Sequence, residues 1–123
     1  MMKIREALKP GGHGVIGTAS KAGVVNMAVY AIPHVVDEGT VAWGMTDGRT
    51  WNNVRENPNA SYTYFAPGEG FRGVRLTMSL ARTEDSGEML AKIRERTGMA
   101  SPGNPEAVKH VAYFKVVETR PLV

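Results

Sequence analysis

The chain has 123 residues, 42% hydrophobic and 22% charged, the balance of one soluble globular domain over residues 1–123 with a modest core. It has no cysteine, which excludes disulfides, thiolate metal sites and thiol catalysis, and no apolar run approaches the roughly 20 residues of a membrane-spanning helix. Net charge is +3, but the 15 Lys and Arg are scattered rather than clustered. Neither nucleic acid nor a membrane is therefore an expected partner.

The N-terminal Met1-Met2-Lys3-Ile4-Arg5-Glu6 lacks the apolar core of a signal peptide, so a cytoplasmic location is expected. Lys3 to Lys9 reads as a short helix with Ile4, Ala7 and Leu8 on one face, stopped by Pro10-Gly11-Gly12. Val15 to Ser20 and Val24 to Ile32 read as a hairpin turning at Gly23. Pro33 breaks the pattern, and Asp37-Glu38-Gly39 turns the chain into a buried strand from Val41 to Met45. A short helix follows and stops at Pro58, and Ala60 to Phe65 is the next strand. Beyond the Pro67–Gly70 loop, Val74, Leu76, Met78 and Leu80 alternate with polar residues as a half-buried strand requires. Ser86 is expected to cap a helix running through Arg96 with Gly98 at its end. A Pro/Gly-rich loop over 98–105 and a last strand from Val111 to Glu118 complete the chain. Turn-linked strands imply a mostly antiparallel sheet, and a closed or nearly closed β-barrel hides its edges.

The motif with most chemistry lies between Val41 and Tyr64. Thr46-Asp47-Gly48 is turn chemistry, and Thr46 or Asp47 can cap the helix after it. Trp51 and Val54 share one helical face, Arg49 and Asn53 another. Free N–H groups at the helix start, the positive dipole end, the Arg49 guanidinium and the Thr50 hydroxyl converge as a phosphate site would require. A solvated arginine in an ordinary first turn fits the same pattern, and Asp47 would repel phosphate unless it turns away. Asn26, inside the apolar run Val24–Val29, is either satisfied by the hairpin or directed at a polar ligand.

Other motifs carry less. Gly12-His13-Gly14-Val15-Ile16-Gly17 matches G-x-G-x-x-G. It follows a helix stop and leads into a strand, the wrong context for a dinucleotide fold. His13, His34 and His110 lack metal-ligand spacing, so no metal is expected. The serines have no local nucleophile signature. Tyr62, Tyr64 and Phe65 read as packing residues.

The run Asp47-Gly48-Arg49-Thr50, Asn53-Val54, Asn57-Pro58 and Ser61, with the order of elements, resembles the pyridoxamine 5′-phosphate oxidase-like split-barrel flavoproteins over roughly residues 13 to 120. It is most similar to their small, single-domain FMN-binding members. The resemblance implies a split β-barrel, a homodimer and FMN at the dimer interface. Arg49 and Thr50 would hold the phosphate, with Asn53 nearby. Asn26, Met27 and Ala28 would line the ribityl chain and ring, and Gly44, Met45 and Thr46 would present backbone groups to the isoalloxazine. True oxidases of the family have an Arg- and His-rich C-terminal extension, whereas this sequence ends Glu118-Thr119-Arg120-Pro121-Leu122-Val123. A small FMN-dependent oxidoreductase or electron carrier is therefore expected rather than a vitamin B6 oxidase. No side chain stands out as a general acid or base. Two alternatives are the same barrel holding a deazaflavin or haem, and a non-catalytic β-barrel for nucleic acid. The latter would need a basic groove with exposed aromatics.

Overall fold

In the computed structural model, which describes residues 3–99 and 104–123, the chain folds as a curled antiparallel sheet with three short helices. The elements are α1 (Ile4–Ala7), β1 (His13–Ala19), β2 (Val25–Val29), β3 (His34–Asp37), β4 (Thr40–Met45), α2 (Arg49–Glu56), β5 (Asn59–Phe65), β6 (Gly73–Glu84), α3 (Glu88–Gly98), a 3₁₀ turn at Pro105–Ala107, and β7 (His110–Pro121). The strands lie in the order β2-β1-β5-β6-β7-β4-β3, every pairing antiparallel. β2 and β3 are the two edges.

The sheet curls until distant strands meet. Trp43 on β4 and Tyr62 on β5 are separated in the sheet by β6 and β7, yet their rings lie 4.7 Å apart. Trp43 also packs edge-on against Phe114 at 5.7 Å. Its indole N–H donates to the Ala31 carbonyl, 2.8 Å away, beyond the end of β2. The phenol of Tyr62 donates to the Tyr30 carbonyl at 3.0 Å. These bonds tie the β2 edge across the interior to β4 and β5, giving a split barrel rather than an open sheet. Ile16, Val41, Leu76, Met78 and Phe114 fill the space around them.

The glycine motif of β1 serves this packing. A Cβ on Gly14 would collide with the Tyr62 ring, and one on Gly12 with the Tyr64 hydroxyl. Both tyrosines are fully buried, and Tyr64 donates to the Lys9 carbonyl while accepting from the Gly12 N–H. The glycines clear room for two aromatic rings.

The structure departs from sequence expectation at several places. The segment His34–Asp37, expected only as a break and turn, is the strand β3, paired with β4. The N-terminal helix ends at Ala7, two residues before the expected Lys9, while β6 continues past Leu80 to Glu84 and β7 past Glu118 to Pro121. α3 starts at Glu88 behind Gly87, which makes no side-chain cap, so Ser86 does not serve as one. Of the loop expected over 98–105, residues 100–103 lie outside the described residues; Gly98 closes α3 and Pro105 opens the 3₁₀ turn. Phe65 is exposed rather than packed.

α3 makes a second small core on the outer face of β4. Leu90 and Ile93 pack with Ala42, Val108, Val111 and Tyr113. Val41, Trp43 and Met45 point into the barrel, so β4 is buried on both faces. Close approach of α3 explains Gly44: a Cβ there would sit 2.5 Å from Ile93 Cγ2 and 2.7 Å from Val108 Cγ1. Gly44→Ala is expected to destabilise the fold by about 1–3 kcal/mol through overpacking. Urea denaturation followed by tryptophan fluorescence measures this, and an unchanged midpoint would show that α3 is not seated on β4 this closely.

Candidate functional site

α2 begins without a side-chain cap. Thr46 and Asp47 were the expected caps, but the N-cap is Gly48, in extended backbone and with no capping bond. Gly48 has no side chain to cap with, and among the described residues no side chain bonds the amides at the start of α2. The first bond of the helix runs from the Asn52 N–H to the Gly48 carbonyl, 3.0 Å. The amides of Arg49, Thr50 and Trp51 therefore have no acceptor within the helix. No acidic residue stands in its first turn, so the positive end of the dipole is not offset there.

Asp47 is held elsewhere. Its Oδ1 lies 2.5 Å from His110 Nε2, and the other ring nitrogen, Nδ1, lies 2.7 Å from Asp85 Oδ1. Both nitrogens face carboxylates, a geometry that only the doubly protonated imidazolium satisfies. The ring also stacks on Trp51 of α2, with centroids 3.8 Å apart and planes 5° from parallel. Burial alone would lower the pKa of His110, but hydrogen bonds to Asp85 and Asp47 outweigh it and hold the pKa above its ordinary value. The hydrogen bond from His110 lowers that of Asp47. The carboxylate that would repel an anion at the start of α2 is thus neutralised by a cation from β7.

A cavity of ≈ 280 Å³ opens at this helix start, lined by Asn26, Met27, Ala28 and Tyr30 from the β2 side, and by Thr46 and Gly48 to Trp51. Alternation along β2 turns Asn26 and Ala28 inward, half-buried, and leaves Met27 exposed. The Asn26 amide has no hydrogen-bond partner among the described residues. Arg49 is exposed and makes no ion pair among them either. Thr50 is buried beside Tyr30. Burial raises the Tyr30 pKa, a hydrogen bond with Thr50 opposing it, so the phenol remains protonated at neutral pH.

The other expected residues are placed differently. Asn53 does not face the cavity: it is buried against β1, its Nδ2 donating to Thr18 Oγ1 at 3.1 Å. α2 buries Thr50, Trp51, Asn53 and Val54 together, a wider stripe than Trp51 and Val54 alone. The Met45 side chain lies in the barrel core, 1% exposed, and its carbonyl accepts from the Lys109 N–H at 3.0 Å. Gly44 lines a second cavity instead.

That second cavity, ≈ 330 Å³, shares Tyr30 and Thr46 with the first and continues between β4 and α3, past Ile32, Trp43, Gly44, Ile93 and Arg96. It exists because β3 leaves β4 after the His34–Ala42 pair, freeing the edge of β4 beyond it. Sequence reasoning missed Tyr30, although it continues the period of Asn26 and Ala28. It also missed the pairing of His110 with Asp47 and Asp85, residues 63 and 25 positions away, for which no local signal exists.

The sequence matches no protein-family model and no curated protein. Solved structures do share the fold. An FMN-binding protein from Syntrophomonas wolfei subsp. wolfei aligns over 89% of this chain and 76% of its own, with a TM-score of 0.77 and 18% identity. HupZ of Group A Streptococcus aligns over 98% and 94%, with a TM-score of 0.79 and 18% identity. A pyridoxamine 5′-phosphate oxidase-like protein of Listeria innocua aligns over 97% and 94%, with a TM-score of 0.72 and 14% identity. The chain has the pyridoxamine 5′-phosphate oxidase-like split-barrel fold.

The His110 clamp makes stability depend on pH. Because the folded-state pKa of His110 lies above the unfolded one, its contribution is complete below about pH 6.5 and is lost as pH rises through the folded value. Asp47, shifted the other way, contributes above its ordinary range and loses that contribution as pH falls through its lowered value. His110→Asn should therefore melt below the wild type at pH 6, with the gap narrowing toward pH 9. Calorimetry across that range checks it, and a gap that widens with pH would contradict the clamp.

Proposed function

We propose that this chain is an FMN-binding flavoprotein, a small oxidoreductase or electron carrier acting as a homodimer, in the cytoplasm. The supporting observation is the uncapped start of α2 with Arg49 and Thr50 beside it, opening on the same cavity as the half-buried Asn26 amide. The donor set fits FMN in order along the groove. The α2 amides, the Arg49 guanidinium and the Thr50 hydroxyl suit a phosphate dianion. Asn26 offers a donor and an acceptor to ribityl hydroxyls. Ala28, Tyr30, the free edge of β4 at Gly44, and Thr46 just beyond that strand flank the space into which a planar ring would extend. Met45 and Asn53 contribute from behind, Met45 by fixing the end of β4 and Asn53 by fixing α2 to β1. The flavin-binding relatives of this fold support the same reading.

When bound, FMN would supply the hydride or electron transfer. The chain's own residues bind and orient it. His110 keeps Asp47 from repelling the phosphate. Among the described residues, no side chain lines the site with the geometry of a general acid or base.

The dimer rests on a separate observation. β2 is a sheet edge, and Val25, Met27 and Val29 on its outward face are 71%, 71% and 78% exposed. Such an apolar edge in water invites pairing with another chain, and a second copy would cover it beside the cofactor groove.

Two measurements test these readings. FMN titration should show tighter binding than riboflavin, which lacks the phosphate. Arg49→Ala should weaken FMN by roughly 1.5–3 kcal/mol, the range for a charge-assisted hydrogen bond, and leave riboflavin nearly unchanged. Equal losses for both ligands would remove Arg49 from the phosphate. Val25→Glu should shift sedimentation from dimer toward monomer; a wild-type monomer, or a variant that stays dimeric, would remove β2 from the interface.

A further inference from the structure

The second cavity has a cationic end that the flavin reading leaves unused. Arg96 of α3 lines it, with Nη2 donating to the Ile32 carbonyl and Nη1 facing His34 Nε2, each at 3.3 Å. These two contacts fix the guanidinium while leaving most of its five N–H donors free. Lys92 lies one helical turn earlier on α3, and neither Arg96 nor Lys92 makes an ion pair among the described residues. His34, between β3 and this helix, is pulled below its ordinary pKa by burial first, then by Arg96 and Lys92. It is therefore neutral at pH 7 and accepts from Arg96 instead of competing for an anion. The remaining wall is apolar and partly aromatic: Ile32, Ala42, Trp43 and Ile93. A fixed guanidinium in a cavity otherwise walled by apolar and aromatic side chains matches a particular ligand chemistry.

We propose that this compartment binds a planar, apolar small molecule bearing a carboxylate, with the carboxylate on Arg96 and the body against Trp43 and Ile93. Arg96 is then the residue that selects anionic over neutral compounds. Binding itself does not depend on FMN; only the role of that molecule as the flavin's reaction partner rests on the reading above. The shared Tyr30 and Thr46 would bring it beside the isoalloxazine.

Benzoate is a suitable probe and benzyl alcohol its neutral counterpart. The chain has two tryptophans, one in each compartment, so their indole N–H signals in a nitrogen-15 NMR titration report the two sites separately. Benzoate is expected to move the Trp43 signal while barely moving that of Trp51, and to bind more tightly than benzyl alcohol. Arg96→Gln should weaken benzoate about tenfold or more with benzyl alcohol unchanged, and Arg96→Lys should restore part of the loss. Arg96 is exposed, so the variants should fold. Arg49→Ala should leave benzoate binding intact, which separates failure of this proposal from failure of the phosphate site. No shift at Trp43, equal binding of benzoate and benzyl alcohol, or no loss in Arg96→Gln would each overturn it.

Discussion

The feature on which this structure turns is a helix start that no side chain caps. Protein helices usually satisfy their first amides with a Ser, Thr, Asp or Asn at the N-cap. Here the chain has Thr46 and Asp47 within reach and uses neither, placing Gly48 at the cap instead. The unmet demand of three amides and a helix dipole then falls on whatever enters the adjoining cavity. An anion with several acceptor oxygens is the natural answer. The arrangement holds only while Asp47 is drawn away, and His110 does that from the first residue of β7. A single imidazolium, fixed by stacking on Trp51, thus links the electrostatics of the helix start to β7, the strand beside β4.

The barrel gives this site its second wall. Trp43 and Tyr62 meet across the interior, and their polar atoms bond the carbonyls of Ala31 and Tyr30. The chain leaving β2 is thereby anchored, which fixes Tyr30 and, through the alternation of β2, aims Asn26 and Ala28 at the start of α2. β4 serves both sides at once. Its inward residues complete the core, while its outward Ala42 and Gly44 admit α3, and its edge beyond the last pair with β3 opens the groove. The same strand therefore sets stability and the shape of the second compartment, which is why Gly44 matters to both.

Much of this was legible in the sequence because it rests on local rules. The Val74–Leu80 alternation, the Gly23 hairpin and the Pro58 helix stop follow from two-residue periodicity and backbone restriction. The grouping of Arg49 and Thr50 with Asn26 came from the resemblance to split-barrel flavoproteins together with helix-end physics. What escaped were matters of tertiary partnership. Asn53 looked like a companion of Arg49 by spacing, but α2 turns it inward onto Thr18. β3 was hidden because Pro33 and the acidic turn after it leave only three residues between them to show a pattern. The glycines of β1 resembled a nucleotide motif, whereas only the positions of Tyr62 and Tyr64 reveal them as clearance for rings. His110 could not be read at all, since its partners lie on other elements.

The proposed chemistry depends on a phosphate-bearing flavin at the start of α2. The most direct test is the absorbance spectrum of the purified protein, with mass analysis of the small molecule released on denaturation. A yellow protein whose bands bleach on reduction, and which releases FMN, is the expected result. A colourless protein that does not take up added FMN, or one that releases a chromophore with no phosphate, would contradict it.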